Sequence, residues 1–283
     1  MQVVVPVVVQ VVRGGCHGAR HYGPMEIRDR HVLVTGASRG IGEAIAREFE
    51  SRGARVSLVA RSAGPLDALA AELSGYSLPT DLFDPAQVNG LIARAEDMGG
   101  PVDILVNNAG MEYTKNFLET TEREIDDVIR LNLNVPLQLS RLVLPGMRDR
   151  RRGHILNISS MAANGGFGGM AVYCASKAGL SHGTRVLRQD LKGTGVKLTT
   201  LEVGPVPTDL LANLDHPAAV KGFARLRRMQ LMPNVSATRL AVAAADGVAR
   251  DKRSVWLPRR AFLFGALTGA PQRIVEPLLT GID

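Results

Sequence analysis

Six short apolar segments alternate with helical segments between residues 31 and 204, and this alternation constrains the fold more than any other feature. Segments that are apolar along their whole length are typical of buried parallel strands, which helices cover on both faces. The sequence therefore predicts a single doubly wound α/β domain. The predicted strands are 31–36, 55–61, 77–82, 103–110, 153–160 and 197–204, and the predicted helices are 43–53, 65–73, 85–99, 122–147 and 173–191.

The two ends of the chain differ in composition from residues 25–258, which contain no linker or repeat and are predicted to form one domain. Residues 1–24 are rich in valine and interrupted by Pro6, and we interpret them as a disordered or mis-assigned extension, with an extra edge strand as the alternative. Residues 259–283 form an apolar and basic tail in which Pro271 and Pro277 limit any helix.

Charge and composition disfavour several classes of function. The net charge of +7 is interpreted as solvated helix ends and loops, and an aromatic content of 4% leaves few rings for a stacking surface, so we predict no nucleic-acid partner. The two cysteines predict neither a disulfide framework nor a metal site. No apolar run reaches the roughly 18 residues that span a bilayer, so a cytoplasmic location is the default expectation.

A glycine-rich segment with the sequence TGASRGIG, at 35–42, joins the first predicted strand to the first helix. Its glycines permit a tight turn and a close approach of the backbone to a pyrophosphate, while the helix offers free N–H groups and the positive end of its dipole. This context predicts a dinucleotide-binding loop. Its predicted contacts are Gly36, Ser38, Arg39, Gly40, Ile41 and Gly42.

Two arginines indicate which dinucleotide binds. The second predicted strand ends at Arg61, where a site selective for NAD(H) usually has an acidic residue for the ribose 2′-hydroxyl. Arg61 and Arg39 can instead pair with a 2′-phosphate through charge-assisted hydrogen bonds. We therefore predict that NADP(H) is preferred over NAD(H).

Tyr173 and Lys177 lie four positions apart at the start of a predicted helix and so share one face of it. An ammonium beside a phenol favours the phenolate, so we expect a lowered tyrosine pKa and a group that can donate or accept a proton. The preceding strand ends in Ser159 and Ser160, at the edge of the sheet where such folds bind ligands. The sequence therefore predicts a general acid–base site at this edge.

These segments together resemble the short-chain dehydrogenase/reductase (SDR) family. The resemblance covers about residues 28–258 and implies a single Rossmann-type domain with a seven-stranded parallel sheet, usually assembled as a homodimer or homotetramer. It also implies an oxidoreductase that interconverts a carbonyl and a secondary alcohol by hydride transfer with a nicotinamide cofactor. The matching pieces are TGASRGIG (35–42), Asp81, NNAG (107–110), Asn132 in RLNLN, Ser160 in NISS, YCASK (173–177) and GPVPT (204–208).

The resemblance assigns a role to each matching residue. Tyr173 is the general acid in reduction and the general base in oxidation, and Lys177 lowers its pKa and holds the nicotinamide ribose. Ser160 rather than Ser159 bonds the substrate oxygen, and Asn132 positions a water for proton relay. The remaining cofactor contacts are Asp81 and Leu82 near the adenine, Asn108, Ala109 and Gly110 beside the adenosine ribose, and Thr208 at the nicotinamide carboxamide or the phosphate.

The C-terminal third of the chain bears on the substrate. Residues 209–235 are expected to form a flap whose apolar side chains favour a hydrophobic, lipid- or steroid-like carbonyl or alcohol, with ordinary helix packing as the alternative. Val203–Gly204 stands where the family usually reads Pro-Gly, so we expect a looser contact between residues 205–208 and the nicotinamide. The tail covers the active site, binds a neighbouring subunit or makes a peripheral membrane contact, and the sequence leaves these three open.

Other functions stay open as alternatives. A catalytically silent NADP(H)-binding sensor or scaffold is one, because a fold does not determine a function. A 3-oxoacyl thioester reductase is another, although the family members that act on acyl-carrier-protein thioesters tend to end in Asp-Gly-Gly and this chain instead has SVWLPRR and the tail. An epimerase or dehydratase is a third, disfavoured because no insert for a separate substrate domain is present.

Overall fold

A computed structural model describes residues 25–206, 216–228 and 233–258 of the chain. These residues form one sheet of seven strands in the order β3-β2-β1-β4-β5-β6-β7, and every neighbouring pair is parallel. This is the predicted doubly wound α/β architecture. The predicted N-terminal extension 1–24 and the tail 259–283 lie outside the described residues.

The strands and helices alternate along the chain as the sequence predicts, with a seventh strand after the last helix. The strands are β1 (His31–Thr35), β2 (Arg55–Ala60), β3 (Tyr76–Pro79), β4 (Ile104–Asn107), β5 (Gly153–Ile158), β6 (Val196–Val203) and β7 (Ser254–Leu257). The helices are α1 (Gly40–Ser51), α2 (Ala63–Glu72), α3 (Pro85–Gly99), α4 (Glu122–Ile129), α5 (Val135–Asp149), α6 (Ala171–Asp190), α7 (Pro217–Arg228) and α8 (Ala237–Ala249). Short 3-10 turns occupy Phe117–Glu119 and Met161–Ala163.

Two apolar clusters, one on each face of the sheet, form the core. On one face, α1, α2 and α8 bury side chains such as Phe49, Leu66 and Leu240 against the strands. On the other face, α3 and α5 bury Leu91 and Leu139. Because both faces are covered, β1 is buried along its whole length, and the residues between its first and last positions are all apolar.

Local signals explain where several helices begin and end. The Asp84 carboxylate accepts hydrogen bonds from two backbone N–H groups at the start of α3, and Pro85 occupies the first turn of that helix. Thr121 and Glu124 form a reciprocal capping box at the start of α4. Gly100, with φ of 76°, follows α3 in the left-handed region that a glycine adopts without strain.

The predicted long helix 122–147 is helical throughout, but a π-helical segment, Arg130–Asn134, separates α4 from α5 within it. The apolar periodicity runs through this segment, so the sequence pattern alone contains no sign of it. The interruption is stabilised from outside the helix, since the Asn132 side chain bonds backbone groups of Met111 in both directions. Insertions of this kind occur frequently at functional sites.

The strand order reverses between β1 and β4, which lie side by side at the centre of the sheet. The connections that follow these two strands lead to helices on opposite faces, so a crevice opens at their carboxyl ends. Every site residue that the sequence predicts on a strand end therefore faces the same edge of the sheet.

None of the helices in the described ranges is long and apolar enough to cross a membrane.

The central strand β5 supplies a test of the core. Leu156 on β5 is fully buried, so its replacement by alanine should lower the free energy of unfolding by about 2–5 kcal/mol, through lost apolar contact and a residual cavity. Leu118 is 92% exposed and is the matched control, because the same replacement there should change stability by less than about 0.5 kcal/mol. Urea denaturation of the two variants measures both changes, and equal losses would contradict the described core.

Candidate active site

The glycine-rich loop after β1 is held against the loop after β4. Gly36 has φ of 67°, and a Cβ atom there would lie 2.9 Å from the Ala109 Cα atom. The Ala37 N–H donates to the Val59 carbonyl of β2 at 3.0 Å, so the loop stays in line with the sheet as it turns. Glycine is needed at residue 36 both for the positive φ and for the close approach of the two loops.

Asn108 and Thr35 join these loops with hydrogen bonds. The Asn108 Nδ2 donates to the Thr35 carbonyl at 2.9 Å and to the Gly36 carbonyl at 3.2 Å. The Thr35 Oγ1 accepts from the backbone N–H groups of Asn108 and Ala109 at 3.0 and 3.1 Å. The Asn108 side chain thus stabilises the loop, and its predicted contact with the adenosine ribose stays a prediction.

The start of α1 offers a cradle for an anion. Arg39 precedes the helix with an extended backbone, no described side chain caps the first turn, and Gly40 is exposed. The N–H groups of this turn therefore point toward the crevice with the positive end of the helix dipole behind them. Gly42 is buried against the Gly36 carbonyl and the Asn108 side chain, which leaves no room for a Cβ atom. These residues fit the pyrophosphate of a dinucleotide.

The strand order brings the other predicted cofactor residues next to this cradle. Arg61 directly follows β2, its side chain is exposed, and β2 is the neighbour of β1. Asp81 follows β3 and its Oδ1 accepts from the Phe83 N–H at 3.0 Å. The Leu82 side chain is buried in the core cluster with Leu33, so only its backbone faces the site. The predicted contacts of these residues with the cofactor stay predictions.

Asn132 is fully buried in the π-helical segment and holds the loop that follows NNAG. Its Oδ1 accepts from the Met111 N–H at 2.9 Å, and its Nδ2 donates to the Met111 carbonyl at 2.8 Å. The Nδ2 also donates to the Ser176 Oγ of α6 at 3.1 Å. The Asn132 side chain therefore connects the loop after β4 to the helix that carries Tyr173 and Lys177.

Tyr173, Lys177 and Ser160 meet at the carboxyl end of β5. The Lys177 Nζ is buried, donates to the Ile158 carbonyl at 3.0 Å and lies 5.8 Å from the centroid of the Tyr173 ring. The Ser160 side chain is half-buried and is near enough to the Tyr173 hydroxyl to lower its pKa. Ser159 is buried, and its Oγ lies 3.3 Å from the Lys177 carbonyl oxygen and 2.6 Å from the Ser181 Oγ. Ser160 is therefore the serine that the structure associates with the tyrosine hydroxyl, while Ser159 is directed toward α6.

The predicted lowering of the Tyr173 pKa is wrong for this structure. Burial raises the pKa of the phenol, and the Glu112 carboxylate raises it further, while the neighbouring Ser160 side chain lowers it. The Lys177 Nζ is directed at the Ile158 carbonyl rather than at the hydroxyl. Burial also lowers the pKa of Lys177 to about 8, against the attraction of the carboxylates of Glu202 and Glu112. Desolvation therefore dominates both groups.

Two acidic residues in this site escaped the sequence analysis. Glu112, two positions after NNAG, is half-buried and accepts from the Thr114 Oγ1 at 2.7 Å, and burial raises its pKa to about 6. Glu202 is buried on β6, and burial raises its pKa to about 7. The available signal for Glu202 was a carboxylate inside the otherwise apolar strand segment LEV.

Tyr173 belongs to a cluster of buried apolar side chains. Ala219 of α7 is fully buried in this cluster, so the described part of the predicted flap contributes to the surroundings of Tyr173. Residues 209–215 and 229–232 of the flap, and Thr208, lie outside the described residues. The cluster consists of Met161, Ala162, Phe167, Met170, Tyr173 and Ala219, with Cys174 and Trp256 packed against it.

The Val203–Gly204 segment extends the sheet at the point where the family usually reads Pro-Gly. Val203 pairs with Leu257 of β7, and the Gly204 N–H donates to the Leu257 carbonyl at 2.7 Å. The following loop is anchored as well, because the Pro205 carbonyl accepts from the Val235 N–H at 2.9 Å. The looser nicotinamide contact expected at residues 205–208 stays a prediction.

The described residues contain no group of three or more His, Cys, Asp or Glu side chains that could hold a metal ion.

A sequence profile described as short chain dehydrogenase matches residues 30–219 of this chain. The chain is 40% identical over 180 residues to the ketoacyl reductase HetN of Nostoc sp., a match that spans 62% of this chain and 63% of that protein, which is less than two thirds of its length. It is 35% identical over 188 residues to the 3-oxoacyl-[acyl-carrier-protein] reductase FabG of Escherichia coli, a match that spans 66% of this chain and 77% of FabG.

Two further similarities extend over most of the described residues. A fatty acyl-CoA reductase of Mycobacterium tuberculosis is 36% identical over 197 residues, which is 67% of each protein. The crystal structure of a short-chain dehydrogenase from Streptomyces avermitilis superimposes with a TM-score of 0.76 at 30% identity, covering 88% of this chain and 96% of that one. The predicted fold, with its seven-stranded parallel sheet, is confirmed by this similarity.

The close contact at Gly42 leads to a stability prediction. Gly42→Ala should lower the free energy of unfolding by about 1–3 kcal/mol, because its Cβ atom would contact the Gly36 carbonyl and the loop would have to shift. Gly90 in α3 is the matched control, because no atom lies within 4 Å of a Cβ atom there. Gly90→Ala should raise stability by about 0.5–1 kcal/mol through reduced backbone entropy in the unfolded chain. Thermal and urea unfolding measure the stability of both variants. An unchanged free energy of unfolding in Gly42→Ala would refute the described loop.

Proposed function

The chain belongs to the short chain dehydrogenase family, and we propose that it is an NADP(H)-dependent oxidoreductase that interconverts a carbonyl and a secondary alcohol by hydride transfer. The observation that carries the proposal is the meeting of Tyr173, Ser160 and Lys177 at the carboxyl end of β5. This group lies at the same edge of the sheet as the anion cradle of α1.

The side chains of the site divide the chemistry between binding and proton transfer. A bound nicotinamide supplies the hydride. The hydroxyl groups of Ser160 and Tyr173 lie near each other, so both can donate to one substrate oxygen and polarise the carbonyl. Tyr173 then transfers its proton to that oxygen in reduction and accepts it back in oxidation.

The electrostatics of the site favour a neutral phenol before the reaction. Burial raises the Tyr173 pKa, so the hydroxyl holds its proton at neutral pH and is ready to act as an acid. Lys177 has a pKa of about 8, so its ammonium is charged at neutral pH and can donate to a ribose hydroxyl. A cation held this close also stabilises the phenolate that proton transfer produces. With a neutral phenol and a charged lysine, the site is in the protonation state that reduction of a carbonyl requires.

The preference for NADP(H) rests on Arg39 and Arg61. Arg39 stands immediately before α1 and Arg61 immediately after β2, so they follow neighbouring strands at the cradle edge. Both side chains are exposed at that edge, where a 2′-phosphate on the adenosine ribose would lie between them and the solvent. Two guanidinium groups near one dianion support NADP(H) over NAD(H).

The arginine proposal is tested by cofactor titration. Arg39→Ala and Arg61→Ala should each weaken NADPH binding by about 10- to 100-fold, because each removes one charge-assisted contact, and should leave NADH binding nearly unchanged. Arg123→Ala is the matched control, since that side chain is 90% exposed on α4 and should affect neither cofactor. Fluorescence titration gives the dissociation constants of NADPH and NADH for each protein, and equal losses for the two cofactors would refute the 2′-phosphate assignment.

The cluster of apolar side chains around Tyr173 supports a hydrophobic substrate. Met161, Phe167 and Met170 belong to the same buried apolar cluster as the tyrosine, and so does Ala219 of α7. A carbon chain on either side of a carbonyl would remain in apolar surroundings there while the oxygen faces Ser160 and Tyr173. We therefore propose a lipid- or steroid-like carbonyl or alcohol.

A 3-oxoacyl thioester is the second candidate, and the names of the relatives favour it. HetN is named a ketoacyl reductase, FabG a 3-oxoacyl-[acyl-carrier-protein] reductase and the mycobacterial relative a fatty acyl-CoA reductase. An acyl chain is itself apolar, so the cluster around Tyr173 is compatible with this candidate as well. The two candidates differ in whether a thioester is needed beside the reacting carbonyl.

An assay of NADPH oxidation with acetoacetyl-CoA and with a medium-chain alkanone tests the function and separates the candidates. Tyr173→Phe should lower kcat/KM by about 10²- to 10⁴-fold while NADPH still binds, because the general acid is lost. Tyr76→Phe is the matched control, since Tyr76 lies on the edge strand β3 against His31. Full activity of Tyr173→Phe would overturn the assignment. Cofactor binding without turnover of any carbonyl would favour the silent sensor or scaffold.

Assembly as a homodimer or homotetramer, a cytoplasmic location and the function of the tail 259–283 stay predictions from the sequence.

A further inference from the structure

Glu202 is a buried acid that the proposed reaction does not use. Its side chain is 4% exposed on β6, between the apolar residues Leu201 and Val203. A carboxylate in such a place costs free energy unless hydrogen bonds or an opposite charge compensate it. What compensates Glu202 therefore indicates what it does.

A chain of hydroxyl groups connects the Glu202 carboxylate to the helix that carries Lys177. The Ser181 Oγ donates to the Glu202 Oε1 at 2.9 Å, so the Ser159 Oγ is the donor in its 2.6 Å hydrogen bond with the Ser181 Oγ. The Ser159 Oγ also lies 3.3 Å from the Lys177 carbonyl oxygen. Lys177 and Ser181 lie four residues apart on α6, so both face β6 and the carboxylate.

Hydrogen bonds alone do not satisfy this carboxylate. Its second oxygen, Oε2, is buried and has no hydrogen-bond partner among the residues that the structure describes. The Lys177 ammonium is buried on the same side of the sheet and donates to the Ile158 carbonyl. A carbonyl offers Lys177 only a partial charge. The ammonium therefore needs a carboxylate nearby to supply a full counter-charge.

The charges around Lys177 come from several elements. Glu202 approaches from β6 and Glu112 from the loop after β4, and both carboxylates favour the charged ammonium, with Glu202 the stronger. Tyr173 lies beside Lys177 on α6. Arg185, one turn beyond Ser181 on α6, and Lys177 itself favour the charged form of Glu202. Burial opposes the charge on both residues, so the charged state of Lys177 depends on these carboxylates.

We propose that Glu202 is a positioning residue of this active site, a buried counter-charge that holds the Lys177 side chain in its cationic form. The proposal rests on the proposed function, because it gives the lysine its assigned task at the nicotinamide ribose. A purely structural alternative exists, in which Glu202 only anchors Ser181 and Ser159. The two differ in whether the charge of Glu202 matters or only its hydrogen bond.

Glu202→Gln separates these alternatives, since glutamine keeps the size and can still accept from Ser181 while it removes the charge. The Kd of NADPH is measured by fluorescence from about pH 6.5 to 9.5, a range that brackets the Lys177 pKa of about 8. In the unaltered protein, binding should weaken above that pH as the ammonium loses its proton. In Glu202→Gln the same weakening should begin about one pH unit lower, because the carboxylate no longer favours the cation.

Two further variants act as controls. Thr184→Val removes the hydroxyl that accepts from Asn157 at 2.8 Å in the same buried layer, without a change of charge. It should lower the melting temperature and leave the pH dependence of NADPH binding in place. Ser181→Ala removes the hydrogen bond that favours the charged Glu202, so it should shift the pH dependence in the same direction as Glu202→Gln by less. This variant decides the question if Glu202→Gln does not fold.

The outcomes distinguish the inference from the function on which it rests. If the unaltered protein binds no NADPH at any pH, the proposed function fails. If it binds NADPH and Glu202→Gln, or Ser181→Ala in its place, leaves the pH dependence unmoved, the counter-charge proposal fails and the proposed function stands. A shift in Glu202→Gln with none in Thr184→Val supports the proposal.

Discussion

Burial of the sheet on both faces is the constraint on which the rest of this structure depends. With helices against each face, polar groups of the described strands reach a ligand only where the strands end. Thr35 and Asn107 end β1 and β4 at one edge, and Ser160 follows the end of β5 by two residues at the same edge. Because α1 also begins at that edge, the anion cradle and the acid–base group share the same crevice.

The same burial governs the ionisable groups. Desolvation is the largest cause of the pKa shifts of Tyr173, Lys177, Glu112 and Glu202, and it favours the uncharged form of each one. The lysine is lowered to about 8 while Glu202 is raised to about 7, so both titrate near neutral pH. Burial thus keeps the proton on the phenol, whereas the lysine keeps its charge through the attraction of the Glu202 and Glu112 carboxylates.

Two different surroundings meet at Tyr173. Ser160 and Glu112 are near enough to the hydroxyl to influence its pKa, and the Lys177 Nζ lies 5.8 Å from the ring centroid. The ring itself belongs to an apolar cluster with Met161, Phe167 and the buried Ala219. A molecule with one polar carbonyl in a long apolar frame matches both halves. Both the acyl substrates that the names of the relatives indicate and the hydrophobic ketones proposed here fit this description. An experiment therefore has to decide whether the substrate carries a thioester.

The sequence by itself determined the order of strands and helices, the glycine-rich loop and the pairing of Tyr173 with Lys177. Each of these depends on a local pattern: apolar runs of strand length, glycines between a strand and a helix, and residues four apart on one helix face. Only the tertiary structure decided the π-helical break at Arg130–Asn134, because Asn132 is held by Met111, 21 residues away. It alone also decided that the Tyr173 pKa is raised and that Glu202 lies near Lys177. Desolvation and charge depend on neighbours from distant parts of the chain, and no local spacing in the sequence encodes those neighbours.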